Sequence, residues 1–560
     1  MLEVPLLVVV AFSSLAMTAT PTPFEVPWSG QTIGPDGPWH VIVAEDGKYK
    51  LFPGSTWETW LIEANYCDVG GTETCYAAQS GVYDKDKPQG SDGGISMSAS
   101  LGNYMLGLNL EGDDATRWVD NLRLDNFEVE NTSLALLDNT QRIMYPGGKE
   151  QPFFAGCLSL GGSGSVNQSF TRDGVSSAPL TNASLVPGYM WEQGKIPSNS
   201  FGMHIGSLQP NLAGSLWFGG YDQNRVVGEV ITLDGDFREG ITLWDIGIDA
   251  IGSSSPFGFD SQDGLLTRDN STMGRSLRVS IDGCSPYLSL PRSTCDNIAS
   301  YLPVKFNKSL GLYIWDTSSP EFTQIISSAS ALYFSFISNS NTDPVKIRVP
   351  FMHLNLTLTS PLVESPTAYF PCHVNGKGQY VLGRAYLQDA FIGANWDPRA
   401  AKWWMAQAPG RNIQAVPNIA TIEPTDESIS KGGNDWEASW DGVWNKKVGS
   451  ATTPTSSTSP TNTPTSEKTV EGGMAIGTKI GVGIGVGVGV LITILGAYFF
   501  WRWRRRHNQT SSTHTQSPST EAKHTYPQEP IEMMGESISS EIQGVSTHNP
   551  NYAWQRHELP

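Results

Sequence analysis

The stretch that decides the fold is Ile281-Asp282-Gly283-Cys284-Ser285-Pro286-Tyr287-Leu288-Ser289-Leu290-Pro291. In it, a strand-like segment ends on a single aspartate inside a turn of small residues, and a second apolar segment follows. A stretch with the same outline, Leu51-Phe52-Pro53-Gly54-Ser55-Thr56-Trp57, lies near the other end of the chain. It has the Gly-Ser turn but no carboxylate, because Phe52 stands where Asp282 stands in the first stretch.

Working outward from these two stretches, five further segments follow in a characteristic order: Gly156-Cys157-Leu158-Ser159-Leu160, Gly214-Ser215-Leu216-Trp217-Phe218-Gly219-Gly220-Tyr221-Asp222, Leu243-Trp244-Asp245-Ile246-Gly247-Ile248, Tyr380-Val381-Leu382-Gly383-Arg384-Ala385-Tyr386-Leu387 and Asn395-Trp396-Asp397. The ordered set resembles the pepsin-like aspartic peptidase family (peptidase A1) over residues 28–408. Ser159 departs from that pattern, which has glycine at this position.

The resemblance implies an all-β, bilobal pepsin-like (acid protease) fold, in which two lobes face each other across a cleft. Composition agrees with an all-β protein, since the chain has 58 glycines and only 16% charged residues and its short β-branched or aromatic runs are separated by turn residues. Residues 294–302 are the one clear helix candidate in the core, directly after the Asp282 stretch.

The resemblance also implies a catalytic site and shows what is missing from it. In the family, two nearby carboxyl groups share one proton and hold the attacking water between them. Asp282 holds the second aspartate position, whereas Phe52 holds the first and is not competent. Loss of a positioned acid or base removes roughly 10²- to 10⁴-fold in rate. We therefore expect a pseudopeptidase whose cleft binds peptide, glycoprotein or cell-wall material, and we do not assign Tyr104 as the family's flap tyrosine.

Two other functions stay open at this point. The first is an active aspartic endopeptidase with a non-standard second acid, for which Glu45 and Asp46 are the nearest carboxylates in the N-terminal lobe. The second is a stalked membrane sensor, in which the lobed domain is a rigid head. The net charge of −19 argues against nucleic acid as a partner.

Segments outside residues 28–408 predict a single-pass membrane protein. Residues 1–19 read as a secretory signal peptide, and residues 478–501 as a transmembrane helix followed by Arg502, Arg504, Arg505 and Arg506, which places the tail, 502–560, in the cytosol. The large domain is then extracellular or lumenal, at the plasma membrane or in the secretory pathway. Glycines repeat every four residues from 473 to 489, which indicates either a dimer through the span or a simple glycine-rich anchor.

Between domain and membrane, residues 409–477 form a linker and a Ser/Thr/Pro-rich stalk, and we expect stalk and tail to be disordered. Trp436, Trp440 and Trp444 in the linker share a four-residue spacing, and we interpret them as docking on the domain rather than on membrane or glycan. This organisation resembles that of membrane-anchored pepsin-like proteins of filamentous fungi.

Cysteines and sequons fit the secretory pathway. The family resemblance pairs Cys67 with Cys75 and Cys295 with Cys372. For Cys157 and Cys284 the sequence leaves free thiols and a disulfide both open, and free thiols are the commoner state of core cysteines. Neither a metal site nor a cofactor is indicated by the Cys and His spacing. Six N-glycosylation sequons precede the span, at Asn131, Asn167, Asn182, Asn270, Asn307 and Asn355.

Overall fold

The computed structural model describes residues 20–68, 75–90, 93–171, 180–251, 255–338, 341, 343–374 and 379–444. The predicted signal peptide, stalk, transmembrane helix and cytosolic tail lie outside these residues. In the part of the chain that is described, we find no helix with the length and apolar character needed to cross a membrane. This part is mainly β structure and contains four short α-helices: α1 (Val186–Glu192), α2 (Arg292–Ala299), α3 (Pro320–Ser327) and α4 (Arg384–Leu387).

The N-terminal half of the domain is built on a ten-stranded sheet. Numbered in chain order, its strands are β2 (Trp28–Ile33), β3 (Trp39–Ala44), β4 (Tyr49–Gly54), β5 (Thr59–Ile62), β6 (Gly93–Ala99), β8 (Ala115–Leu124), β9 (Phe127–Leu137), β12 (Gly156–Ser159), β13 (Asn167–Thr171) and β14 (Leu180–Ser184). Eight of them lie in the order β13-β14-β9-β5-β12-β4-β3-β2, with β8 also paired to β9 and β6 to β8. A small three-stranded sheet consists of β7 (Asn109–Glu111), β10 (Arg142–Met144) and β11 (Glu150–Gln151). In the sequence, these strands lie between those of the ten-stranded sheet.

The C-terminal half has an eight-stranded and a four-stranded sheet. The first consists of β21 (Ile241–Ala250), β22 (Ser261–Gln262), β23 (Leu277–Ile281), β24 (Leu288–Ser289), β27 (Ser330–Ile337), β28 (Val345–Pro350), β31 (Cys372–His373) and β32 (Val381–Leu382). The second consists of β25 (Val304–Asn307), β26 (Leu312–Trp315), β29 (Leu356–Leu358) and β30 (Thr367–Phe370).

A six-stranded sheet joins the two halves, because it takes strands from the beginning, the middle and the end of the domain. Its order is β1 (Phe24–Glu25), β18 (Ser215–Phe218), β15 (Ser200–His204), β33 (Ala390–Asn395), β34 (Lys402–Gln407) and β20 (Val227–Asp234). Two further pairs are β16 (Ser207–Leu208) with β17 (Asn211–Leu212), and β19 (Gly220–Asp222) with β35 (Ile419–Thr421).

The same strand arrangement occurs once in each half and positions the two key loops. In the N-terminal half, β12 lies between β4 and β5, with Cys157 opposite Phe52 in the parallel pair. In the C-terminal half, β32 lies between β23 and β24, with Leu382 opposite Ile281 in the parallel pair. The prediction that the Val381-Leu382-Gly383 strand passes beside the Asp282 loop is therefore confirmed.

The predicted helix after the Asp282 loop is present, although its bounds differ. Helix α2 begins at Arg292, directly after Pro291, and ends at Ala299 rather than at residue 302. Pro303 disfavours helical backbone at Leu302, which explains why the last predicted turn does not form. The structure also contains the two predicted disulfides, Cys67–Cys75 and Cys295–Cys372, with Cα–Cα distances of 5.4 and 5.8 Å.

Residues 409–444, here called the C-terminal strap, pack on the domain. Trp436, Trp440 and Trp444 contact one another, with 4.9 Å between the stacked ring centroids of Trp440 and Trp444. They form a buried cluster with Val227, Ala329 and Ala331 and others. The interpretation that the tryptophans dock on the domain is confirmed. They do so from a loop with one short 3₁₀ turn at Ala438–Trp440, which ends at the extended backbone of Asp441 and is followed by Gly442 with a φ of 75°.

Trp444→Ala is expected to loosen the strap and to lower the free energy of unfolding by about 2 kcal/mol. This is less than the roughly 3–5 kcal/mol typical of a Trp→Ala change in a core, because a terminal segment detaches without unfolding the sheets. Hydrogen exchange of residues 409–444 measures the effect. Val416→Ala is the control, since Val416 lies in the same strap and is 77% exposed. Equal exchange rates in the two variants would contradict this role of the cluster.

Candidate functional site

The two loops that the sequence singled out contact each other directly. A Cβ atom built on Gly283 would lie 2.0 Å from the Pro53 carbonyl oxygen, which is impossibly close. A Cβ atom on Gly54 would lie 2.0 Å from Cys284 Sγ. Both positions therefore require glycine because the backbones approach so closely. Gly283 stands where the family pattern has threonine, so this departure is explained by the tight contact between the loops.

Asp282 is the acidic group of this site, and donors from the protein surround it. Its side chain is 1% exposed. Oδ1 accepts hydrogen bonds from the backbone amide and hydroxyl of Ser55, at 3.2 and 2.9 Å, and from the backbone amide of Cys284, at 3.0 Å. Oδ2 lies 3.2 Å from the backbone nitrogen of Leu106 and 2.5 Å from the hydroxyl of Ser285. Both oxygens are thus engaged by groups of the protein itself.

Residues 101–108, here called the cover segment, lie against Asp282. Besides the Leu106 amide, the Leu106 carbonyl contacts the Ser285 hydroxyl, and the Ser289 hydroxyl donates to the Gly107 carbonyl at 3.2 Å. Gly107 has a φ of 85°, and a Cβ atom there would lie 2.6 Å from Ser289 Oγ. The cover segment is therefore fitted closely to the C-terminal half and attached to it by several contacts.

Tyr104 fixes the cover segment to the N-terminal half. Its ring stacks on Trp60, with ring centroids 4.7 Å apart, and its hydroxyl donates to the Ala155 carbonyl at 2.8 Å. Complete burial raises the pKa of the Tyr104 hydroxyl well above its ordinary value. Tyr104 is thus a buried packing residue.

Opposite the Asp282 loop, Phe52 packs against a buried arginine. The Arg384 guanidinium lies 3.7 Å from the centroid of the Phe52 ring. Its Nη1 donates to the carbonyls of Gly283 and Cys284, at 3.1 and 2.6 Å. The Phe52 ring face thus supports a cation by a cation–π contact, and that cation holds the backbone that follows Asp282.

Asp36 completes a buried charge network around Arg384. Asp36 Oδ2 lies 3.7 Å from Arg384 Nη2, and Asp36 Oδ1 accepts a hydrogen bond from Trp39 Nε1 at 2.9 Å. Burial raises the pKa of the Asp36 carboxyl, while Arg384 opposes the shift. Burial lowers the pKa of Arg384, and Asp36 and Asp282 oppose that. One guanidinium therefore sits in the field of two buried carboxyl groups.

Cys157 and Cys284, whose state the sequence left open, form a disulfide with a Cα–Cα distance of 5.9 Å. Cys157 lies on β12 opposite Phe52, and Cys284 lies two residues after Asp282. The bond therefore joins strand β12 of the N-terminal half covalently to the Asp282 loop, and the free thiols favoured from sequence statistics are not present.

The alternative acids Glu45 and Asp46 belong to a different contact. Glu45 Oε1 accepts a hydrogen bond from the backbone amide of Arg123 at 2.6 Å, and Asp46 Oδ2 pairs with Arg123 Nη1 at 3.0 Å. Within the described ranges, the hydrogen-bond partners of Asp282 are amides and hydroxyls, and none is a carboxylate. Neither alternative acid completes a dyad here.

A cavity of about 310 Å³ adjoins the cover segment. It is lined by Leu101, Gly102, Tyr104, Leu108, Leu110 and Gln379. Its wall combines three leucine side chains with polar groups such as the Gln379 amide, a mixture that is common in ligand pockets.

Sequence reasoning did not assign a role to Arg384, Leu106 or Ser285. Arg384 directly follows the recognised Val381-Leu382-Gly383 motif. The motif therefore indicates that Arg384 lies near the site, but it does not indicate where the side chain points. Leu106 contributes only a backbone amide, and a backbone contact leaves no signature in residue type. Ser285 lies within the quoted Asp282 stretch as part of the turn.

Comparison with known proteins places these observations in context. The family model described as eukaryotic aspartyl protease matches residues 59–408. Asp282 lies inside the matched residues, and the loop with Phe52 lies outside them. Among solved structures, the chain is similar to the crystal structure of aspartic proteinase from Irpex lacteus, with 13% identity and a TM-score of 0.40, covering 69% of this chain and 98% of that chain. No curated protein matches the sequence.

Proposed function

The chain belongs to the eukaryotic aspartyl protease family, and from that premise we propose that it is a non-cleaving member, a membrane-anchored module that binds peptide or glycoprotein segments outside the cell or in the lumen. One observation carries the loss of cleavage. The remaining catalytic-position carboxylate, Asp282, is surrounded by three backbone amides, the Ser55 hydroxyl and the Ser285 hydroxyl, whose hydrogen is shared with the Leu106 carbonyl.

Acid peptidase chemistry needs a carboxylate pair that shares a proton and holds an attacking water. Here the opposite position is occupied by Phe52, with Arg384 against its ring. Both oxygens of Asp282 are bonded to amides and hydroxyls of the protein itself, and no carboxylate faces it from the first loop. These features support a structural role for Asp282.

Binding without cleavage is supported by the cavity beside the cover segment. Leu101, Leu108 and Leu110 give it an apolar wall and Gln379 a polar group, a combination suited to one apolar side chain of an extended peptide. Membrane anchoring is supported by the apolar run before Arg502 and by the disulfides, which fit an oxidising compartment.

The purified protein is expected to show no peptide cleavage at acid pH that is sensitive to a transition-state analogue of the pepsin type. Asp282→Asn should leave the measured background rate unchanged at a temperature where both forms are folded. The double change Phe52→Asp and Pro53→Thr should recover a trace at most, since Gly283 and Cys284 still replace the family's Thr-Gly turn. Mass spectrometry of a mixed peptide substrate measures all three. Cleavage by the unmodified protein that Asp282→Asn abolishes would overturn the proposal.

A further inference from the structure

Three of the six sequons lie together at one edge of the ten-stranded sheet. The edge strand β13 pairs with β14 so that Asn167 is opposite Ser184 and Ser169 is opposite Asn182. Ser184 is in turn opposite Thr132 of β9, the residue after Asn131. Because neighbouring strands lie about 4.8 Å apart, the backbones of Asn167 and Thr132 are separated by about 10 Å across two strand spacings, and Asn131 is the neighbour of Thr132 in the chain.

The outer face of this edge combines two of the sequon asparagines with an exposed leucine. Phe170 and Ala183 point inward and are buried, whereas Asn167 and Asn182 are exposed, as the two-residue period of strands requires. Leu180 lies two residues before Asn182, on the same face, and is 64% exposed. An apolar side chain beside an edge strand is a risk for pairing with another chain.

We infer that Asn131, Asn167 and Asn182 carry N-linked glycans that together cover the β13 edge and Leu180, and so prevent edge-to-edge association of the protein. This inference rests on the extracellular or lumenal placement in the proposed function. Oligosaccharides are large relative to the strand spacing, so glycans on Asn167 and Asn182, which share a face, crowd over Leu180, and a glycan on Asn131 adds bulk two strands away. The remaining sequons, at Asn270, Asn307 and Asn355, lie in the C-terminal half and do not touch this edge.

The test uses the full chain expressed in a eukaryotic secretory host and solubilised in detergent. Glycopeptide mass spectrometry, with and without peptide N-glycosidase, should find glycan at all three edge positions. The triple variant N131Q/N167Q/N182Q should lose at least about half of its monomeric peak in gel filtration to larger species, because the edge is bare. The matched triple variant N270Q/N307Q/N355Q should keep its monomeric peak.

A rescue variant separates aggregation through the edge from misfolding. Adding Leu180→Lys to the edge triple variant should restore the monomeric peak, since a charge in place of the exposed leucine beside the edge strand opposes association. Glycan at the C-terminal sequons but not at the edge would overturn the inference and leave the lumenal placement standing. Glycan at none of the six would overturn both. Occupied edge sites whose removal leaves the protein monomeric, or a loss that Leu180→Lys does not rescue, would overturn the protective role.

Discussion

Replacing Asp282 by alanine is expected to lower the free energy of unfolding by about 3 to 5 kcal/mol, the range found when one partner of a buried charge pair is removed. The change leaves the amides of Ser55, Cys284 and Leu106 without acceptors in a buried place, and each unsatisfied donor has its own cost. It also removes one of the two carboxylates that compensate the charge of Arg384. Urea unfolding followed by tryptophan fluorescence measures the loss.

Two further variants make this result specific. Asp282→Asn keeps the shape but presents an NH₂ group to donors on one side, so a loss of about 2 kcal/mol is expected. Asp234→Ala removes a surface carboxylate that is 81% exposed and paired with Lys402, and less than about 1 kcal/mol is expected from it. If Asp282→Asn is as stable as the unmodified protein, the carboxylate is not a structural anchor, and its catalytic use has to be reconsidered.

Removal of the disulfide between β12 and the Asp282 loop is expected to have an effect of similar size. Cys157 and Cys284 are 127 residues apart in sequence, and chain-entropy reasoning gives about 5 kcal/mol for closing a loop of that length. The double variant Cys157→Ala/Cys284→Ala should therefore unfold at a much lower urea concentration. Hydrogen exchange of residues 101–108 should also rise, because the cover segment contacts the loop that contains Cys284.

The matched control is the double variant Cys67→Ala/Cys75→Ala. These cysteines are only 8 residues apart, and the same reasoning gives about 2.5 kcal/mol. Their loss should leave exchange in the cover segment unchanged. A larger loss of stability from removing Cys67–Cys75 than from removing Cys157–Cys284 would show that the bond between β12 and the Asp282 loop does not constrain the domain.

Much of the fold was predictable because short sequence motifs, in a fixed order along the chain, specify it. Strands β12 and β32 follow from short apolar runs with glycine, and helix α2 from the pattern after Pro291. The pair Cys67–Cys75 is close in sequence, and Cys295–Cys372 follows a family pattern. The Phe52 substitution was visible in the sequence as well, since it depends only on aligning two loops.

The interior of the site was not predictable, because it depends on contacts between distant segments. The Cys157–Cys284 bond requires Cys157 and the Asp282 loop to lie close together. The glycines at 54 and 283 permit this approach, but their presence in the sequence does not predict it. The direction of Arg384 depends on the space beside the Phe52 ring. The strap shows the same limit: its tryptophan spacing suggested one helical face, whereas the indoles meet through a loop that bends at Gly442.

The tryptophan cluster has a mechanical consequence if the chain is held beyond Trp444, as the proposed membrane anchor implies. Trp440 lies against His353, with ring centroids 5.1 Å apart, and His353 Nδ1 lies 2.6 Å from Asp389 Oδ2. Asp389 comes two residues after α4, the helix that begins with Arg384. A pulling force on the chain beyond Trp444 therefore acts first on the indoles. From Trp440 it reaches helix α4, and with it Arg384, through two side-chain contacts, Trp440–His353 and His353–Asp389. The main sheets bear the force only after the strap has detached.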